Sequence, residues 1–316
     1  MISARYSRDD FPVDEVQVTE LQRGPKRFWL SYPSPATVTI TAVSRKDSKV
    51  TATALVQLTG LFAYVSNQSS GTLSAFSIDA NGSLIPIAGF PIGAGKTPFF
   101  LAADARGSHL YVTDLAESAV YAYSINPRSG ALALMHSRAI VGSGPRSFAI
   151  DPSGKMLYVA CTDGAGIYGF SIDVPSGILA PLAGSPFRNL SLRPAAITVD
   201  FSGQFAFVPN NASKNVSVFR VNPKTGQLTA IAAPYASGTA PVWANTDKSG
   251  TYLYVLSDVD DAIYAYSVAT TGTLSKLSTP AFHGVADPLF STVSPNGNFL
   301  YVPNWSSSGS FPANSV

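Results

Sequence analysis

Pro98-Phe99-Phe100-Leu101-Ala102-Ala103-Asp104-Ala105-Arg106-Gly107-Ser108-His109-Leu110-Tyr111-Val112-Thr113 decides the reading of this chain. Residues 99–103 are a short apolar run. Asp104 to Gly107 is a turn, because an Asp side chain can bond the backbone that follows it and a Gly can take a positive φ. Residues 109–113 form a second strand. Further on, residues 119–125 (Ala-Val-Tyr-Ala-Tyr-Ser-Ile) alternate in size and polarity as a third strand would. Asn126 to Gly130 turns again, and residues 131–136 supply a fourth strand.

The same plan recurs along the chain. An aromatic-Val pair stands at Tyr64-Val65, Tyr111-Val112, Tyr158-Val159, Phe207-Val208, Tyr254-Val255 and Tyr301-Val302, at intervals of 47, 47, 49, 47 and 47 residues. A proline keeps step at Pro98, Pro145, Pro194, Pro241 and Pro288. So do the Asp-x-x-Gly elements at Asp104, Asp151, Asp200 and Asp247, with Ser294 beginning the fifth copy. A Gly-x-Leu element follows the same period from Gly82 to Gly272. Four antiparallel strands in a unit of this length match one blade of a β-propeller, for which about 40–50 residues is usual. The expected fold is all-β: a propeller of four-stranded blades, with the apolar first strand walling a central channel and the fourth at the rim. Residues 60–316 hold about five to six blades. Both ends of the series look cut, so a truncated seven-bladed type is expected, with either a smaller ring or association through strand edges.

Composition agrees with many short strands and tight turns. Of 316 residues, 46% are hydrophobic and 13% charged, with 25 Gly and 23 Pro. Disorder needs the opposite balance, and long helical bundles need more Glu, Lys and Leu. Net charge is +2, and residues 61–316 carry 13 basic and 13 acidic side chains. No basic stripe exists to displace counterions from phosphates, so nucleic acid is excluded as a partner. No run reaches the ~18 apolar residues of a membrane span. The single cysteine, Cys161, rules out an internal disulfide framework.

The N-terminal part differs. Residues 36–43 alternate, residues 45–49 form a charged turn, and residues 50–58 alternate again, which makes one β-hairpin. The segment 36–59 resembles the last hairpin of a bacterial immunoglobulin-like domain. Residues 1–35 carry no usable period and stay unassigned, either disordered or replacing the front of that domain.

The units Tyr64-Val65-Ser66-Asn67, Tyr111-Val112-Thr113-Asp114 and Tyr301-Val302-Pro303-Asn304 look like the YVTN-type propeller repeat. The wider pattern resembles the lactonase-like seven-bladed propellers, which include the propeller type of 6-phosphogluconolactonase. The resemblance covers roughly residues 61–304 and implies the propeller fold. For activity it implies a polar cluster that this chain keeps only in part. Gly144-Pro145-Arg146 matches the family's Gly-Pro-Arg-His, but Ser147 stands in place of the histidine. The family's Asn-Glu pair after the Tyr-Val strand is replaced by Cys161-Thr162. Its His-x-His becomes Thr97 and Phe99 around Pro98, while Asp114-Leu115 fits the pattern.

Two candidate site residues follow. Arg146 is the charged residue among those after the repeat prolines, the others being Phe99, Ala195, Val242 and Leu289. It reads as a carbonyl or anion contact at the channel mouth, or as a surface loop arginine. His283 lies in the loop before Pro288, and such loops line one propeller face. His109 occupies a structural repeat position and His136 an outer strand. Asp258, Asp260 and Asp261 crowd one loop; a Ca²⁺ site and a solvated turn both fit, and the turn is the ordinary outcome. Cys161 reads as a packing residue, and Glu117 as a surface residue. No nucleophile elbow, phosphate loop, dinucleotide fingerprint or zinc pattern is present, so no cofactor and no metal is expected.

Two functions fit. One is a ligand- or protein-binding scaffold within a secreted or surface bacterial protein, with a carbohydrate or another envelope protein as partner. The other is a hydrolase of a sugar lactone, cytoplasmic if a true 6-phosphogluconolactonase. Hydrolysis needs a base or held water and a cation for the oxyanion. Arg146 suits the second role; the sequence shows no matched candidate for the first.

Overall fold

In the computed structural model of the chain, the Asp-x-x-Gly elements close hairpins between the first and second strands of each unit. Asp151 shows how. Its Oδ1 accepts from the backbone N–H of Lys155 at 2.9 Å and of Met156 at 2.7 Å. Its carbonyl accepts from Gly154, which takes a φ of +70° that a side chain would strain. Asp200 holds Gln204 and Phe205 in the same way, both at 2.9 Å. In the fifth copy the Ser294 hydroxyl does the work, accepting from the Phe299 N–H at 2.9 Å.

The structure describes residues 61–303 apart from 80, 136–137, 164–165, 190, 232, 278–281, 284, 286 and 295–296. It also describes, by their backbone, the strands Gln17–Leu21, Ala36–Val43 and Thr51–Leu58. These three form one antiparallel sheet. The second and third pair residue for residue from Ala36↔Leu58 to Val43↔Thr51, as an alternating hairpin should. The strand Gln17–Leu21 adds to its other edge, inside a segment whose sequence carries no usable period.

Contacts divide the described chain into two compact units. The smaller includes residues 75–90 and 127–131. There Phe76↔Pro86 and Ile78↔Leu84 pair as a hairpin, and the Tyr64 hydroxyl donates to the Gly130 carbonyl at 2.8 Å. The larger unit comprises residues 65–74, 91–126 and 132–316. Residues 98–140, 145–188, 198–236 and 241–283 each form a five-stranded antiparallel sheet, and residues 292–301 a two-stranded one. In each five-stranded sheet the first three strands run in order. The fourth position is split into a three-residue and a two-residue piece, both paired to the third strand. In the second sheet, for example, Phe170↔Pro181 and Ile167↔Phe187 share the strand Gly166–Ile172.

The core lies between each sheet and the next. Tyr111, Val120, Phe148 and Val159 pack in one such layer; Ile167, Ala206, Val208 and Phe219 in the following one; Phe207, Val218, Leu253 and Tyr266 in a third. Second strands are the deepest, with every residue of His109–Asp114 and of Phe205–Asn210 buried. The first strand is therefore not the most enclosed one, although its sequence is the apolar run. Pro145–Ile150 has Arg146 exposed and two residues half-buried, because its outer side faces the channel and not another sheet. The three-residue fourth strands are mostly exposed, as at a rim.

The repeat aromatics stitch neighbours together. The Tyr111 hydroxyl donates to the Gly177 carbonyl at 3.0 Å and that of Tyr158 to Gly226 at 2.8 Å, each reaching the Gly-x-Leu turn of the next sheet. Phe207 has no hydroxyl. At its boundary Thr198 donates instead to the Ala244 carbonyl at 2.7 Å. Among the described residues no helix is long and apolar enough to cross a membrane.

Candidate functional site

The first strands converge on a cavity of about 460 Å³. The residue after each repeat proline lines it in all five copies: Phe99, Arg146, Ala195, Val242 and Leu289. The next residue contributes Phe100, Trp243 and Phe290. The fourth residue after each repeat aromatic contributes Thr162, Asn211 and Asp258, and Arg193, the residue before Pro194, completes the wall. One period in the sequence thus becomes one ring of side chains in space.

Local structure fixes these positions. The second-strand end and the loop before the proline are tied by backbone bonds: Thr162 N–H to Gly144 carbonyl at 2.9 Å, Asn211 to Arg193 at 2.9 Å, Asp258 to Ala240 at 3.0 Å. Beside them a buried polar side chain clamps the incoming loop. Asp114 accepts from the Lys96 and Thr97 N–H groups at 2.7 and 2.8 Å. Asn210, Asn189 and Ser217 form the corresponding buried network. Arg193 adopts a φ of +54°, a left-handed conformation that points to a loop held from both sides.

Arg146 is exposed and its guanidinium lies over the Phe99 ring, 5.7 Å from the centroid. Among the described residues neither Arg146 nor Arg193 has a carboxylate partner. Phe100 packs edge-on against Phe148 at 5.1 Å and meets Trp243 at 5.6 Å, which makes a rigid aromatic floor. Burial, and then the neighbouring carboxylates of Asp287 and Asp261, push the Asp258 carboxyl above its ordinary range. A rise is the direction in which a carboxylate becomes the stronger base.

Arg146 stands on the cavity with Arg193 and Asp258. His283 does not join them. It lies exposed on the two-residue strand Phe282–His283, paired to Ala262. The split fourth strand extends over positions that read as a loop in the sequence. Ser147, in place of the family's histidine, is 1% exposed with its Oγ unpartnered among the described residues, so it cannot meet a solvent-borne ligand. His109 is buried against Asp104, Nδ1 to Oδ2 at 2.9 Å, in keeping with a structural position. His136 lies outside the described residues.

The aspartate loop divides by role. For Asp260 burial raises the carboxyl, but bonds from Thr239, Ser257 and Tyr264 outweigh it and hold the group at about 2. It is a loop clamp; Asp258 is the one on the cavity. Among the described residues no three metal-ligating side chains converge. Cys161 is fully buried, and burial with the Asp163 charge pushes its thiol up to about 12 against a backbone bond from Gly142. Glu117 accepts from the Tyr121 hydroxyl and from Arg138 at 2.8 Å, away from the cavity.

Arg193, Asn211, Trp243 and Asp258 were not legible as site residues. A signal existed for Asp258. It falls four residues after Tyr254, the offset at which the resemblance places a carboxylate and at which Thr162 stands in the 145–188 sheet.

Successive antiparallel sheets, packed face to face with equivalent residues lining one cavity, define a β-propeller with a central pocket. Within that class the chain belongs to the family Lactonase, 7-bladed β-propeller, whose pattern it matches over residues 16–143, 101–189 and 205–312. The first match includes the three N-terminal strands. No curated protein matches the chain. Among solved structures it is similar to a candidate 6-phosphogluconolactonase of Bacteroides uniformis (20% identity, 81% of this chain, 80% of that one, TM-score 0.62). It is also similar to a Lactobacillus plantarum protein (20%, 89% and 89%, 0.63). A third is the periplasmic gluconolactonase of Pseudomonas aeruginosa (18%, 92% and 86%, 0.62). At such identities the likeness is one of fold.

Proposed function

We propose that the central cavity hydrolyses a lactone ring. One observation carries this reading: two guanidiniums without carboxylate partners and a carboxylate raised by burial line the same pocket. Asp258 takes a proton from water as the water oxygen bonds to the ring carbonyl carbon. Arg146 and Arg193 hold the developing oxyanion. The ring C–O bond then breaks, the proton held by Asp258 passes to the departing ring oxygen, and the hydroxy acid leaves as its carboxylate, its remaining water-derived proton going to solvent. The missing base is thus supplied from a different sheet than the one that carries Arg146. The two lactonase-type structures similar in fold support the same class of chemistry.

The competing reading is a binding scaffold of a secreted or surface protein, with an immunoglobulin-like N-terminal hairpin. It is favoured by Ser147, which replaces the imidazole and lies out of reach of solvent. An envelope location suits it and matches the periplasmic relative in fold. A pH-stat assay over a panel of lactones, sugar lactones included, separates the two. Acid release above background that falls about 100-fold in Arg146→Ala is expected. No release from any lactone in the panel removes the hydrolase and leaves the scaffold.

A further inference from the structure

We infer that the cavity prefers a compound with an aryl or short alkyl body and a single carboxylate, or the lactone that yields it, over a phosphorylated sugar. The ring-opening part rests on the hydrolase reading above; the binding preference does not. A sugar brings several hydroxyls, and each loses free energy on leaving water unless a partner replaces that water. Besides the charged Arg146, Arg193 and Asp258, the wall offers the Asn211 amide and the Trp243 indole N–H, which has no partner among the described residues. Phe100, Val242, Leu289 and Phe290 present carbon, and the Thr162 hydroxyl is already committed to the Pro194 carbonyl at 3.3 Å. An aryl group meets the opposite situation, because the Phe100–Trp243 pair presents ring surface without rearrangement.

Charge selects in the same direction. Arg146 and Arg193 give a carboxylate two forked donors. A phosphate dianion added to the carboxylate would bring extra negative charge into a pocket that already holds Asp258. Asp261 and Asp287 stand beside it, with the Asp287 N–H donating to Asp261 Oδ1 at 2.8 Å. Like charges in a partly desolvated site repel more than they do in water.

Titration calorimetry with 4-phenylbutyrate and 6-phosphogluconate tests this on the full chain. Both carry a carboxylate, so the body decides. The expected result is 4-phenylbutyrate binding at least about tenfold more tightly. Arg146→Gln and Arg193→Gln, both at exposed positions, should each weaken it several-fold. Tighter or equal binding of 6-phosphogluconate, or millimolar silence from both, overturns the inference. Acid release from γ-phenyl-γ-butyrolactone and from 6-phosphogluconolactone then separates the two claims. A phenylbutyrate preference with neither lactone opened removes the hydrolase reading and upholds this one. A higher kcat/KM on 6-phosphogluconolactone upholds the hydrolase and overturns the preference.

Discussion

Asp258 is held in an unfavourable state by its surroundings. Burial and two nearby carboxylates favour its neutral form, so its folded-state proton affinity exceeds the unfolded one. A carboxyl raised in this way stabilises the fold at pH values below the ordinary carboxylate range. That contribution is lost as pH rises through the raised value. Asp258→Asn should therefore raise Tm at neutral pH and leave it nearly unchanged in acid, where both side chains are neutral. Scanning calorimetry at the two pH values checks this; a lower Tm at neutral pH would show the charge to be stabilising. The chemistry of Asp258 was hidden in the sequence by its company. Three aspartates in one loop read as a solvated turn, whereas Asp260 clamps the loop, its carboxylate taking bonds from Thr239, Ser257 and Tyr264. Only the placement of the neighbouring blades tells the two apart.

At the scale of strands and turns much was legible. Asp-x-x-Gly is a sufficient local instruction, since the carboxylate, the two N–H groups it caps and the left-handed glycine are all within six residues. The alternating hairpin of residues 36–58 was equally plain. Less local features were not. The strand Gln17–Leu21 is defined by its partner and not by a pattern of its own. The fourth position of each blade is two short pieces, so His283 read as a loop residue. Between blades, the repeat tyrosines act at a distance of 66 to 68 residues. Tyr158 is fully buried, and Tyr158→Phe leaves the Gly226 carbonyl without its donor. A loss of about 1–2 kcal/mol is expected in chemical denaturation. An unchanged midpoint would mean that packing, and not this hydrogen bond, holds that boundary.

For the whole molecule, a 47-residue period announces radial repetition, because a unit that cannot bury both faces alone must stack on copies of itself. The sequence therefore revealed blades and their turns, and the family match places those blades among the seven-bladed lactonase propellers. It did not reveal the site, whose charged and amide side chains are spread over three blades: Arg146 from the second sheet, Arg193 from the loop leading into the third, Asn211 from the third and Asp258 from the fourth. A repeat aligns such positions without saying which offset faces inward. Arg146 alone stood out because its copies elsewhere are apolar. The claim that these side chains act together on a ligand is best tested by the pH dependence of lactone opening in the wild type and in Asp258→Asn. The expected wild-type rate climbs with pH through one ionisation lying above the usual carboxylate range, then levels. In the variant the rate should fall about 100-fold or more and lose that step. An identical profile in the two proteins would contradict the account.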